Sequence, residues 1–163
     1  MTVVWYIIDT SSLIELNKHN PMDIYPGVWQ KLEWLVKSKR LFAPKEVYNE
    51  VSQTDDLLFK WAKSQSQMFV EPTKQQIEIV KEILEKYPRL VKLDRKYDAD
   101  PWVIALAIEM SRSKQATLVQ IKRIVVTEEK IRGNKIKIPY VCQKFTIECI
   151  DILDMFRMEG WKF

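Results

Sequence analysis

Histidine occurs once in this chain, cysteine twice and glycine three times, and each scarcity removes a class of chemistry. With His19 alone, neither a two-histidine nuclease nor a multi-histidine zinc site can be assembled. A Ser-His-Asp triad would have to run through His19, which stands in a polar His-Asn-Pro stretch resembling a helix end. Cys142 and Cys149 form no Cys-x-x-Cys motif for zinc or redox work, and read as reduced cysteines in or near a core. The low glycine content, with no repeat or low-complexity stretch, leaves disorder no place outside the loops. Long apolar runs are absent too: Val103 to Ile108 falls far short of the about 20 residues of a membrane helix. The start, Met-Thr-Val-Val-Trp-Tyr-Ile-Ile-Asp, lacks the basic residues and cleavage site of a secretory signal. The expectation is a cytoplasmic protein with no membrane partner. Any catalysis falls to the acidic residues.

A content of 47% hydrophobic and 29% charged residues over 163 positions predicts one globular domain spanning residues 1–163. The net charge of +4 says less than its distribution. Between Arg112 and Lys137 eight Lys or Arg face two acids, a segment that could attract phosphate backbones or form a solvated face.

Val3 to Ile8 is a β-branched and aromatic run ending at Asp9, the pattern of a central strand covered on both faces. Ser12-Leu-Ile-Glu15 has capping-box spacing and predicts a short helix after it. Helical spacing recurs over Pro26–Lys37 and Asp55–Gln65, and over Thr73–Tyr87 through Ile77, Val80, Leu84 and Tyr87, with Pro88 as its end. Leu41-Phe42-Ala43 leads to Pro44, which can occupy the first turn of a helix holding Val47 and Val51. Trp102 to Met110 is apolar on nearly every side and predicts a deeply buried helix. Ile124–Val126, Ile136–Ile138 and Thr146–Ile150 are strand candidates, and Asp151–Met158 a terminal helix with Gly160 just past its end. Alternating strands and helices predict an α/β fold around a mostly parallel sheet, with sites beyond the carboxyl ends of its strands.

Asp9, Glu50 and Asp100 stand at element ends, and each has a structural alternative. Asp9 could cap the helix after its strand, Glu50 (like Glu46) could face solvent, and Asp100 before Pro101 suits an N-cap. Glu128 and Glu129 follow the apolar Val125-Val126-Thr127, where they could open a helix or join the same sheet edge. Carboxylates converging there would repel one another. A hard divalent cation, Mg²⁺ or Mn²⁺, resolves that repulsion and supplies hydroxide and charge stabilisation for phosphodiester hydrolysis.

The string Ile7-Ile8-Asp9-Thr10-Ser11-Ser12-Leu13-Ile14 resembles the opening motif of the PIN-domain nucleases. Pro44-Lys-Glu-Val47-Tyr-Asn-Glu50-Val51 resembles their second motif, Asp100-Pro-Trp-Val103-Ile-Ala105-Leu-Ala107 their third, and Val125-Val-Thr127-Glu128-Glu129 the one that introduces the last acid. Order and approximate spacing agree over roughly residues 3 to 130. The resemblance implies a three-layer α/β/α PIN-like fold and an endoribonuclease using Mg²⁺ or Mn²⁺. Asp9, Glu50 and Asp100 would be its catalytic and metal-binding acids, with Glu128 or Glu129 completing the set. Ser11 and Thr127 would orient carboxylates or water, with Asp98 as a further nearby carboxylate. The glutamates after Thr127, where aspartate or asparagine is usual, and the extra Asp98 depart from the family pattern. Lys114, Lys122, Arg123, Lys130 and Arg132 would form an RNA-binding rim.

Free-standing PIN domains similar to the VapC type imply a toxin with an antitoxin partner, often a homodimer. The alternatives are an RNA-processing nuclease without a toxin role, and a non-catalytic RNA- or protein-binding module. A phosphatase of the HAD type needs a second Asp two positions after the first, and Ser11 stands there. A receiver domain needs an acidic pair and a separate phosphorylatable Asp, a poor match.

Overall fold

The computed structural model describes residues 1–92, 94–113, 118–133 and 135–163. Five parallel strands form the sheet: β1 (Thr2–Ile8), β2 (Leu41–Pro44), β3 (Phe69–Val70), β4 (Gln120–Val126) and β5 (Glu148–Ile150), in the order β3-β2-β1-β4-β5. The order runs outward from β1 in both directions, so the topological switch lies between β1 and β4, where a crevice opens at the carboxyl ends. These two strands pair in register from Thr2↔Gln120 to Ile8↔Val126. Asp9 and Thr127, the next residue of each, therefore emerge side by side.

Successive residues of a strand face opposite sides of the sheet. Tyr6, Ile7 and Ile8 are all fully buried, so both faces are covered, and by helices. These are α1 (Thr10–His19), α2 (Pro26–Lys37), α3 (Lys45–Val51), α4 (Asp56–Ser64), α5 (Lys74–Lys86), α6 (Asp100–Arg112), α7 (Ile138–Lys144) and α8 (Ile152–Glu159). In α6, Val103 through Ile108 are buried without interruption, as its all-round apolarity predicts. It packs on β1, β2 and β4, with α5 and α7 against it. This helix delivers Asp100 to the sheet edge.

Several local expectations are corrected. The capping box at Ser12 and Glu15 does not form. The helix starts one residue after Asp9, so Asp9 holds the extended cap backbone and accepts from Ser12 N. Ser12 is buried inside the first turn, and Glu15 pairs instead with the exposed His19 at 3.0 Å. Pro44 ends β2 and occupies the cap position of α3 rather than its first turn.

Asp100 is not an N-cap either. It is the first helical residue of α6, with Ala99 at the cap position and no side chain capping. Asp98 Oδ1 accepts from Asp100 N–H at 3.3 Å, which sets the turn earlier, and Pro101 has no N–H to satisfy.

In α5 the buried stripe is Gln76, Ile79, Val80 and Ile83, while Ile77 is exposed. Its face is rotated from the expected one because Gln76 is drawn inward to donate to Glu109 at 3.0 Å. Ile136–Ile138 is no strand. Ile138 opens α7, with Pro139 in a first turn where a missing N–H costs nothing.

Candidate active site

β1 ends with Asp9 N–H still donating to Val126 O at 3.0 Å, and the side chain turns back over the start of α1. Its Oδ1 accepts from Ser12 N–H and Ser11 O–H, both at 2.9 Å. Its Oδ2 lies 2.8 Å from Ser11 Oγ and accepts from Thr127 O–H at 2.5 Å. Only 2% of Asp9 is exposed. Burial pushes its carboxyl up to about 6 although Thr127, Ser12 and Ser11 stabilise the charged form, and Glu129 raises it further. Ser11 also accepts from Glu128 N–H at 3.1 Å. Ser11 and Thr127 thus join the ends of β1 and β4 around one carboxylate.

Glu50 reaches the same place from α3, which packs beside α1. Its Oε1 accepts from Thr10 O–H at 2.5 Å, while Glu46 accepts from Asn49 at 3.1 Å and does not line the cleft. Burial raises the Glu50 carboxyl, opposed chiefly by the hydrogen bond from Thr10. Arg95 Nη1 stands 3.9 Å from Glu50 Oε2.

Asp100 accepts no hydrogen bond among the described residues. Burial first, then the charges of Glu129, Asp98, Asp9 and Glu50, push its carboxyl up to about 8. Asp9, Glu50, Asp100 and Glu129, with Thr10 and Ser11, line a cleft of about 430 Å³.

The two glutamates after Thr127 part company. Glu129 faces the cleft and accepts from Ile138 N–H at 3.1 Å, at the start of α7. Glu128 lies outside the cleft lining, with Oε1 accepting from Ile152 N–H at 2.9 Å at the start of α8. Of the two, only Glu129 lines the cleft, because adjacent residues after a strand point apart. Asp98 is engaged by backbone, accepting from Lys92 N–H at 2.8 Å and from Asp100 N–H.

The expected basic rim does not line this cleft. Lys122 and Arg123 sit on β4 four and three residues before its cleft end at Val126, roughly 10–13 Å back along the strand. Lys122 pairs with Glu148 at 2.9 Å, and the Arg123 guanidinium lies over the Trp5 ring. Lys130 pairs with Asp151 at 2.9 Å, and Arg132 is exposed away from the cleft lining. Lys114 lies outside the described residues. The lining cations are Arg95 and Lys96, within the charged connection after Pro88. Clustered charge was the only signal for them in the sequence, and Thr10 gave none beyond its place after Asp9.

The carboxylates and hydroxyls of the cleft offer oxygen, and no histidine or cysteine is among the described residues of its lining, a set suited to a hard divalent cation rather than to zinc. Among the described residues no three acidic, histidine or cysteine side chains stand close enough together to hold an ion as they are. Asp9 is turned inward by its hydroxyl donors and Glu50 toward Thr10, an arrangement that keeps like charges apart. Asp100, buried and without a partner among the described residues, has the charges of four acidic neighbours against it, so the acids of the cleft are not neutralised by the protein alone.

Thr127 tests the electrostatics directly. Thr127→Val should raise the Asp9 carboxyl by a further one to two pH units, roughly the value of a hydrogen bond to a charged group. Carboxyl-carbon NMR titration in EDTA reads this, and an unchanged titration would show the bond to be incidental.

Residues 6–163 match the family described as "Domain of unknown function (DUF4411)". The chain belongs to that family. No curated protein matches it. A chain of the DNA-bound VapBC from Salmonella typhimurium is similar in structure, with a TM-score of 0.51 at 12% identity over 91% of this chain and 98% of that one. A chain of VapBC2 from Rickettsia felis, bound to a DNA fragment from their promoter, gives 0.49 at 13% identity over 91% and 98%. The Salmonella likeness shows the fold: this DUF4411 chain is a three-layer α/β/α PIN-like structure with a parallel central sheet. No helix among its described residues is long and apolar enough to cross a membrane.

Proposed function

We propose that the cleft is the active site of a metal-dependent endoribonuclease that hydrolyses RNA phosphodiesters with Mg²⁺ or Mn²⁺. The observation that carries this reading is the gathering of Asp9, Glu50, Asp100 and Glu129 from four separated segments at one sheet edge, with Asp100 pushed up to about 8. Structural acids are usually paired or bonded. A set arranged so that one member is left to repulsion suits a cationic cofactor.

Asp9, Asp100 and Glu129 would hold the ion, with Glu50 completing the acidic lining. When bound, such an ion supplies an activated water and neutralises charge developing on phosphate. Ser11 and Thr127 hold the Asp9 carboxylate and Thr10 holds Glu50 in the ion-free cleft, and the same hydroxyls would orient these acids, or a water, once an ion draws the set together. Their desolvated position strengthens every charge interaction within the cleft.

The toxin role, with an antitoxin partner, a homodimer and a cytoplasmic setting, belongs to the same proposal. Its support is the fold shared with a chain of a VapBC complex. An RNA-processing role without toxicity fits the same cleft. A non-catalytic binding module is favoured by one observation, that the described residues form no closed three-ligand group.

Purified protein incubated with total RNA should give discrete fragments in Mn²⁺ and none in EDTA. Intact RNA in Mn²⁺, with no heat of divalent-ion binding by calorimetry, would replace the enzyme by the binding module.

A further inference from the structure

Three consecutive residues also line the cleft, Arg95, Lys96 and Tyr97, and of these only Arg95 meets one of its acids, Glu50. They belong to the connection between the 3₁₀ turn Pro88–Leu90 and α6. Asp98 closes this connection, accepting from Lys92 N–H at 2.8 Å and from Asp100 N–H at 3.3 Å. One carboxylate thus ties Lys92 to the first residue of a buried helix, with Arg95, Lys96 and Tyr97 in the cleft lining between them.

Arg95 stands 3.9 Å from Glu50 with 42% of its side chain exposed, so its guanidinium keeps donors free. Lys96 Nζ lies 5.3 Å from the centre of the half-buried Tyr97 ring. Ile14, Gln53 and Thr54, also in the lining, carry no charge. The cleft therefore sets two cations and an aromatic ring, with Lys96 over one of the ring's faces, beside its group of acids. An aromatic ring flanked by cations is the arrangement that binds a single strand, with the base on the ring and phosphates against the charges. A base inside a duplex has both faces covered and cannot use the ring.

On the ribonuclease reading of the cleft, we infer that Tyr97 stacks a base of a single RNA strand while Arg95 and Lys96 hold its phosphates, so that the cleft selects unpaired RNA. Asp98 is the positioning residue for this grip.

The test is fluorescence anisotropy with a labelled mixed-sequence oligoribonucleotide, alone and annealed to its complement. It is run in EDTA on the wild-type chain, and in Mg²⁺ on the Asp100→Asn background so that the strand stays intact. The single strand should bind at least about tenfold more tightly than the duplex. Tyr97→Ala should remove about tenfold or more of that affinity, the loss typical of one stacked base. Tyr97→Phe should keep it. Arg95→Gln with Lys96→Gln should flatten the logarithmic salt dependence by roughly 1.4, the value for two phosphate contacts on a single strand.

Asp98→Ala should weaken binding of the single strand in EDTA, while Asp98→Asn, which keeps an acceptor oxygen for the Lys92 and Asp100 N–H groups, should retain it. Equal binding of strand and duplex, undiminished binding by Tyr97→Ala, or no binding by any form overturns the inference. Tyr97-dependent binding without cleavage in Mn²⁺ upholds the grip and removes the ribonuclease proposal. Cleavage in Mn²⁺ with an unchanged KM for Tyr97→Ala does the reverse.

Discussion

Asp100→Asn should abolish RNA cleavage and, in EDTA, make the protein more stable above pH 6. The sign follows from the direction of the shift. Folding raises the Asp100 carboxyl from 3.8 to about 8, so between these values the folded state binds more protons than the unfolded one. Stability then falls as pH rises through that window, by up to about 1.4 kcal/mol per pH unit, and levels off above pH 8. The whole displacement sets an upper bound of about 6 kcal/mol. Asparagine does not titrate, so the variant escapes the loss, apart from a few tenths of a kcal/mol of helix-dipole interaction at the start of α6.

Urea midpoints in EDTA at pH 5, 7 and 8.5 should therefore diverge progressively between the two proteins. Adding Mn²⁺ should recover stability for the wild type above pH 7 and do little for the variant, because an ion that binds only the folded form stabilises by mass action. A variant that cleaves RNA fully would remove Asp100 from the mechanism. Parallel stability profiles would show that its carboxyl is not under repulsion.

Glu159→Ala should cost about 3 kcal/mol of stability and leave cleavage per folded molecule unchanged. Glu159 closes α8 and accepts from the two terminal guanidinium nitrogens of Arg40, at 3.0 and 2.6 Å, and from the Tyr6 hydroxyl at 2.7 Å. Arg40 also donates through Nε to Val4 O at 2.9 Å. Burial and the bond to Glu159 push the Tyr6 hydroxyl well above its ordinary range, so it stays a neutral donor.

Removing the carboxylate leaves a guanidinium and a phenol without their partner in a largely desolvated place. The pair stands five residues back along β1 from Asp9, at the level of Val4. Denaturant midpoints and specific activity would separate the two effects. A loss below about 1 kcal/mol would place the pair with ordinary screened surface bridges.

Strong local patterns were legible in the sequence. The unbroken apolar run before Asp9 could only be a strand covered on both faces, and the apolar ring of 102–110 only a buried helix. Asp9 and Asp100 followed as the polar residues at their ends. The cap assignments misled because neighbouring residues could serve: Ser12 or Asp9 for α1, Asp100 or Ala99 for the start of α6. Which one caps depends on where the preceding strand or loop releases the backbone. The stripe of α5 turned because Gln76 found Glu109 across the helix interface, a partner 33 residues away.

By itself, then, the sequence determined the α/β class, the order of its main elements and the oxygen-only chemistry left by a single histidine and two unpaired cysteines. These follow from residue type and short-range period, which are local. Only the tertiary structure decided that Glu129 rather than Glu128 faces the cleft, and that the cleft cations are Arg95 and Lys96 instead of those on β4. Each choice turns on strand register and loop path: a strand advances about 3.3 Å per residue, so a charge three or four positions back from the sheet edge is carried out of reach of a site at that edge.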